Sequence, residues 1–322
     1  MSKTASKKAN LNEKVMLIVS LIAVLLSAGF RLFQLFTNIE EHTGFFKTMD
    51  WAVYTMYAIV LACIVTLFSI ALSSKQIPAS RPVFRKSPAL LVGGLLFSMG
   101  LAMDVALSLV QLIKAFQNVK ISGAVLVKIL FTDGMFSVIF RAICAVLACL
   151  YFLLLALSYA NEKSTYCDYK LMALAPLFWT LFRMVSRFMT KISFLQVSEL
   201  VFELALLAFM ALFFLSFARV SSQVSQKGEM KKVVRYGLIS AYLALFISIS
   251  RLVCLVGGRG ALCADGFAFS LADLGYGVFV FIYIFEHVRY GRPASEDDEV
   301  ETEEEIQAAE EKTELDETFL ED

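Results

Sequence analysis

Histidine is nearly missing from this chain: there are two in 322 residues, His42 and His287. On the span pattern read below they fall on opposite sides of a membrane, so no His-based zinc site or catalytic dyad can be built from them. Charge is scarce as well. Charged residues make up 18% and hydrophobic residues 58%, against about 25% and about 45–50% in ordinary soluble domains. The six cysteines contain no CxxC pair, which removes the common metal and redox signatures. The phosphate loop GxxxxGK[ST], the HExxH helix and the GxSxG elbow are all absent. The short Gly257-Gly258-Arg259-Gly260 stretch follows no strand, so it reads as a turn and not a dinucleotide site. The apolar excess, gathered in nearly charge-free blocks of about 20 residues, excludes a soluble enzyme, a nucleic-acid-binding domain and a disordered chain. No metal site and no cofactor is expected.

What the chain has instead is long apolar runs. They cover 15–36, 51–72, 88–112, 135–159, 170–190, 198–219, 234–256 and 268–286. Each is close to the ~20 residues that cross a hydrocarbon core about 30 Å thick. The expected fold is an all-α integral membrane protein with about eight transmembrane helices, arranged as four consecutive hairpins. The fifth run is weakened by Arg183 and Arg187, and the eighth by Asp273, Gly275 and Gly277. Apart from Lys170 at the inner edge of the fifth run, no Lys lies inside a run, which excludes a retinal Schiff base. Loops are too short for a folded domain, so the protein acts within the membrane or through partners.

Orientation follows from Lys and Arg. With the N-terminus in the cytoplasm, 17 near-membrane bases fall on the inner side and six on the outer side. Both termini are therefore expected in the cytoplasm of a multi-pass cell-membrane protein of bacterial type. The zero net charge conceals a division. Residues 295–322 hold 15 acids and one base, while residues 1–294 hold 28 bases and 14 acids. Three segments result: a short basic tail 1–14, the membrane domain 15–290, and an acidic cytoplasmic tail 291–322. A run so densely acidic cannot bury enough apolar surface to fold. It reads as a solvated tail, or as a docking segment for a protein partner or for basic surface of this same chain.

Ionisable groups inside spans are costly, about 2.5–3.5 kcal/mol each on insertion scales, and face the bundle interior or a partner. Here they are Arg31, Arg141, Arg183, Arg187 and Arg251 against Asp104, Glu199, Glu203 and Asp273. By residue count all lie toward the outer face. Arg31, Asp104, Arg183 and Arg251 recur at similar depth in spans one, three, five and seven, at spacings of 73, 79 and 68 residues. Such a recurrence fits four hairpins threaded in the same sense around a shared site. Arg183 and Arg187 are four apart on span five, and Glu199 and Glu203 four apart on span six. Matching depth predicts a structural ladder with Arg183 on Glu203 and Arg187 on Glu199. Arg31, Arg141 and Arg251, oriented by Asp104 and Asp273, then form a candidate site for an anionic small molecule or a lipid head group. Guanidinium forks suit carboxylate and phosphate. Cys254 and Cys263 flank the glycine turn near the outer face and form a candidate disulfide.

The leading reading is thus a membrane protein with an outward-facing, Arg-rich pocket that binds or transports an anion. The first rival is a non-catalytic scaffold or sensor subunit working through its acidic tail. The second is an enzyme on a lipid-linked substrate, disfavoured because abundant arginine spoils the carboxylates as proton carriers. The lipid bilayer is an expected partner, and nucleic acid is not expected.

Overall fold

The computed structural model describes residues 2–39, 46–47, 51–73, 86–117, 135–161, 169–189, 197–222, 229–259 and 268–290, with backbone alone for 2–14, 73, 197–198 and 289–290. His42, Cys263 and the acidic segment 291–322 lie outside the described residues. Among the described residues the α-helices are α1 (Ser2–Thr37), α2 (Trp51–Ser73), α3 (Pro88–Gln117), α4 (Met135–Asn161), α5 (Ala175–Met189), α6 (Val197–Ser221), α7 (Glu229–Val256) and α8 (Leu271–Tyr290). Seven of them, all but α5, contain stretches long and apolar enough to cross a membrane. The chain is a multispanning helical membrane protein. Among the described residues there is no strand, only an isolated antiparallel bridge between Ile39 and Phe46 in the α1–α2 turn. The basic stretch read as an N-terminal tail has helical backbone continuous with α1.

Helix ends follow local chemistry. Ser87 caps α3, its Oγ accepting from Leu90 N–H at 3.3 Å, and Pro88 occupies the first helical position, where its missing N–H costs nothing. Ser270 caps α8 in the same way, with its Oγ 3.3 Å from Asp273 N. That places the Asp273 carboxylate in the first turn, at the positive end of the helix dipole. At the end of α7, Arg259 N–H returns to Cys254 O at 2.9 Å and Gly258 N–H to Leu255 O at 3.2 Å. This doubly bonded turn needs a left-handed residue, and Gly258 supplies it with φ 69°.

The fifth apolar run differs from expectation. Instead of a helix over 170–190, the chain forms a turn, a 3₁₀ segment Met172–Leu174 and then the 15-residue α5. Pro176 explains the break: it has no N–H, and its ring would strike the carbonyl four residues back, on Met172. At 1.5 Å per residue α5 rises only about 22 Å.

Each sequential pair packs as a hairpin: α1 on α2, α3 on α4, α5 on α6 and α7 on α8. The helix ends joined within the four hairpins gather at one end of the bundle, called here the hairpin end. Gln34 near the end of α1 donates to Ala52 O at the start of α2 (2.6 Å). At the opposite end Ser87 N–H reaches Tyr159 O at 3.4 Å. Helix α7 is the most enclosed, touching α1, α2, α6 and α8. Helices α3 and α8 approach each other closely at two glycines. A Cβ on Gly100 would sit 2.6 Å from Ala272 Cα, and one on Gly275 would sit 2.9 Å from Phe97 Cα. Small residues let backbones approach in lipid, where packing replaces the hydrophobic drive. Between the two ends lies an aromatic layer of Phe97, Phe152, Phe213, Phe214, Phe217, Tyr276 and Phe279, all fully buried. Adjacent rings stand 4.5 Å (Phe97–Phe152) to 6.4 Å (Phe217–Phe279) apart.

Candidate functional site: a charge cluster at the hairpin end

Eight helix termini at one end bring together charged residues far apart in sequence. Arg31, Arg183 and Arg251 each sit five or six residues before the end of α1, α5 and α7, and Glu203 six residues after the start of α6. That is about 7–9 Å in from each helix end, so they meet in one layer. Glu199 bridges Arg31, with which it forms an ion pair, and Arg251, whose Nη2 donates to its Oε2 at 3.0 Å. Glu203 is 0% exposed and more heavily used. Its Oε1 accepts from Arg183 Nη2 at 3.1 Å and from Arg187 Nε at 2.9 Å and Nη2 at 2.8 Å. Its Oε2 faces Arg251 Nη2 at 3.5 Å. Arg183 also grips Asp273 with both terminal nitrogens, Nη2 at 2.7 Å from Oδ2.

The result is a continuous chain, Arg31–Glu199–Arg251–Glu203–Arg183–Asp273, with Arg187 attached at Glu203. It ties α1, α5, α6, α7 and α8. Two unit charges 4 Å apart attract by roughly 4 kcal/mol at an effective dielectric of 20. Glu203, paired with both, offsets the repulsion between the like-charged neighbours Arg183 and Arg187, and Asp273 compensates Arg183 further. Polar neighbours complete the layer. Arg31 Nη1 donates to Gln34 Oε1 at 2.8 Å, and its guanidinium lies 5.9 Å from the Phe202 ring centroid.

Beside this chain stands a looser group on α3, α4 and α5. Arg141 Nε is 3.7 Å from Asp104 Oδ2, an ion pair without a hydrogen bond. Arg141 Nη2 donates to Ser108 Oγ at 2.8 Å. Asp104 Oδ2 accepts instead from the indole N–H of Trp179 at 2.9 Å. Trp179 is fully buried, and the Arg183 guanidinium lies over its ring at 5.7 Å. Arg141 lies within electrostatic range of Arg183, Arg187 and Glu203. Its Nε is buried and has no hydrogen-bond partner among the described residues.

All nine intramembrane charges expected to converge are at this end. The lower rung of the anticipated ladder, Arg183 on Glu203, is present. The upper rung is rearranged: Arg187 engages Glu203, and Glu199 is taken by Arg31 and Arg251. Arg31, Arg251 and Asp273, expected around a ligand, are drawn into the ion-pair chain with the ladder residues. Arg141 and Asp104 stand apart from it. Three contributors were missed, each at helical spacing from a charge: Gln34 three after Arg31, Ser108 four after Asp104, and Trp179 four before Arg183. An i, i+3 or i, i+4 scan for polar residues and Trp around each buried charge would have found them.

Cys254 is buried against Leu35 and Ile39, while Cys263 is not among the described residues, so the candidate disulfide is not addressed. Among the described residues no cluster of three or more His, Cys, Asp and Glu could hold a metal. Comparison of the chain with protein families, curated proteins and solved structures finds no match.

Proposed function

We propose that this multispanning protein binds an anion, a small carboxylate or phosphate or a lipid head group, at the hairpin end, and that this end faces out of the cell. In this reading α5 is the eighth crossing. It packs between α4 and α6, which both start at the hairpin end, so the chain must traverse the bundle within it. The observation that carries the reading is a surplus of positive charge in a secluded place. Five guanidinium groups share four carboxylates, and the extra capacity is at the rim. There the side chains of Arg187 and Arg141 are 21% and 12% exposed, against 7% or less for Arg31, Arg183 and Arg251. Arg141 makes one long ion pair and has a buried Nε to satisfy. An anion between Arg141 and Arg187 would complete it. The aromatic layer closes the bundle below the cluster, which favours binding from one side over passage through.

The test is thermal unfolding in zwitterionic detergent with inorganic phosphate, succinate or a short-chain phosphatidate, each read against the same protein without anion. One of these anions is expected to raise the melting temperature of the wild type by several degrees. Arg141→Gln should lose that rise and Arg141→Lys should keep part of it. A phosphatidate effect without a phosphate effect assigns a lipid head group. No rise with any anion, or an equal rise in Arg141→Gln, refutes the proposal.

A second reading rests on a different observation. Every guanidinium of the cluster meets a carboxylate, and Glu203 alone meets three. Such a network locks helices together whether or not it also binds, as a scaffold or sensor subunit would require.

A further inference from the structure

The end of the bundle opposite the charge cluster carries charge of the other kind. Lys86 before α3, Lys170 before α5, and Lys231 and Lys232 in the first turn of α7 are all exposed. The Arg219 side chain is 50% exposed at the end of α6. Only two acids are described here. Glu229 is buried and Glu286 accepts from Ser87 Oγ at 3.2 Å. By sequence position, this end of the bundle has 17 bases and five acids, an excess of 12.

The same chain contains the matching opposite. Residues 295–322 carry 15 acids and one base, an excess of 14 negative charges. They are attached at this same end, because α8 ends there at Tyr290. Five residues separate Tyr290 from Glu296, the first of the acids, and the six steps between them span at most about 20 Å. Helix axes pack about 8–10 Å apart, and α8 touches α3 and α7 directly. The acids therefore begin within reach of Lys86, Lys231 and Lys232. Attachment makes the encounter intramolecular, with an effective concentration in the millimolar range for a short tether.

The surface also shows that it takes carboxylates. Glu229 Oε1 accepts from Lys232 Nζ at 2.8 Å and from Arg219 Nη1 at 3.2 Å. The Arg219 and Lys232 side chains, about half exposed, keep donors turned to the surface.

We propose that the acidic segment 295–322 docks on the basic end of its own bundle, over the first turns of α3 and α7 and the end of α6. The contact is electrostatic, so salt weakens it, with a screening length falling from about 10 Å at 0.1 M to about 3 Å at 1 M. It neutralises an end that would otherwise attract anionic lipid or an acidic partner, and releases that end when the segment is displaced.

The full-length protein in zwitterionic detergent tests this. Carbodiimide coupling followed by peptide mass spectrometry should join acids of 296–322 to Lys86, Lys170, Lys231 or Lys232, and high salt should abolish the products. Mixing isotopically heavy and light protein distinguishes coupling within a chain from coupling between chains. In a second measurement, Lys86→Glu/Lys170→Glu/Lys231→Glu should be trimmed in the segment by a Glu-specific protease about tenfold faster than wild type at low salt, with the difference gone at high salt. None of these three lysines holds Glu229, and all are exposed, so the variant is expected to fold. Absence of salt-sensitive products overturns the proposal, as does equal trimming of the two proteins. Products only between chains assign the segment to a second copy and overturn it too.

Discussion

Glu203 is the residue on which most of the cluster depends. It is fully buried and receives three N–H donors on one oxygen, with Arg251 facing the other. Removing one partner of a buried pair typically costs about 3–5 kcal/mol, because a charge is left stranded. Glu203→Gln leaves three guanidinium groups short of a counter-charge, so a loss at or above that range is expected in chemical unfolding in detergent. Arg183 and Asp273 behave differently, since they form a two-pronged pair and Glu203 retains Arg187 and Arg251 without Arg183. The double change Arg183→Gln/Asp273→Asn should therefore be less destabilising than the sum of its single changes by at least about 1 kcal/mol. Strict additivity would show that the pair is not an energetic unit. Part of this was legible in the sequence. Residue counting put Arg183 and Glu203 at one depth, and they meet. Depth says nothing about azimuth, however, so Arg187 and Glu199 were paired on paper while the fold turns Glu199 toward α1 and α7.

Among the elements, the α3–α8 crossing is a close joint. Gly100 faces backbone of α8 and Gly275 faces backbone of α3, at distances no real Cβ tolerates. Gly29 in the middle of α1 has nothing within 4 Å of where a Cβ would go. Gly100→Val should force the two helices apart and cost about 3 kcal/mol or more. Gly29→Ala should be neutral or stabilise by up to about 1 kcal/mol, since alanine suits a helix better. Melting temperatures of the two variants in the same detergent decide the matter, and equal effects would mean that the joint yields. Helix positions were readable because a bilayer demands about 20 apolar residues whatever the fold. The exception, α5, was shortened by Pro176, a local breaker that a count of apolar residues overlooks. The close joint was only half readable. Gly93, Gly94 and Gly100 mark α3 as a helix closely approached, but nothing in the spacing names α8 as the neighbour.

At the scale of the whole molecule, the gathering of the helix ends joined within the four hairpins at one end gives the bundle two unlike poles. One holds buried arginines paired with carboxylates, and the other exposed lysines. The base asymmetry of 17 to six predicts that the lysine pole and both termini lie in the cytoplasm. Membrane-impermeant thiol labelling of intact cells should mark Lys120→Cys, in the α3–α4 connection, above the background of the parent protein, and leave Asp322→Cys unmarked. The reverse pattern inverts the orientation and would move the proposed anion site to the cytoplasmic face.

The placement of Trp179 has an optical consequence. The chain has two tryptophans. Trp51 opens α2 with 67% of its surface exposed, and Trp179 is 0% exposed beneath Arg183 with its indole N–H on Asp104. The intrinsic emission of the protein is thus the sum of one fluorophore on the bundle's outer surface and one embedded in the charge cluster. A lipid-borne quencher reaches the first and is kept from the second. The residual spectrum is that of a chromophore held between a guanidinium and a carboxylate. Any displacement of charge around Arg183 or Asp104 changes the field across that ring, and so shifts its colour without a label being attached.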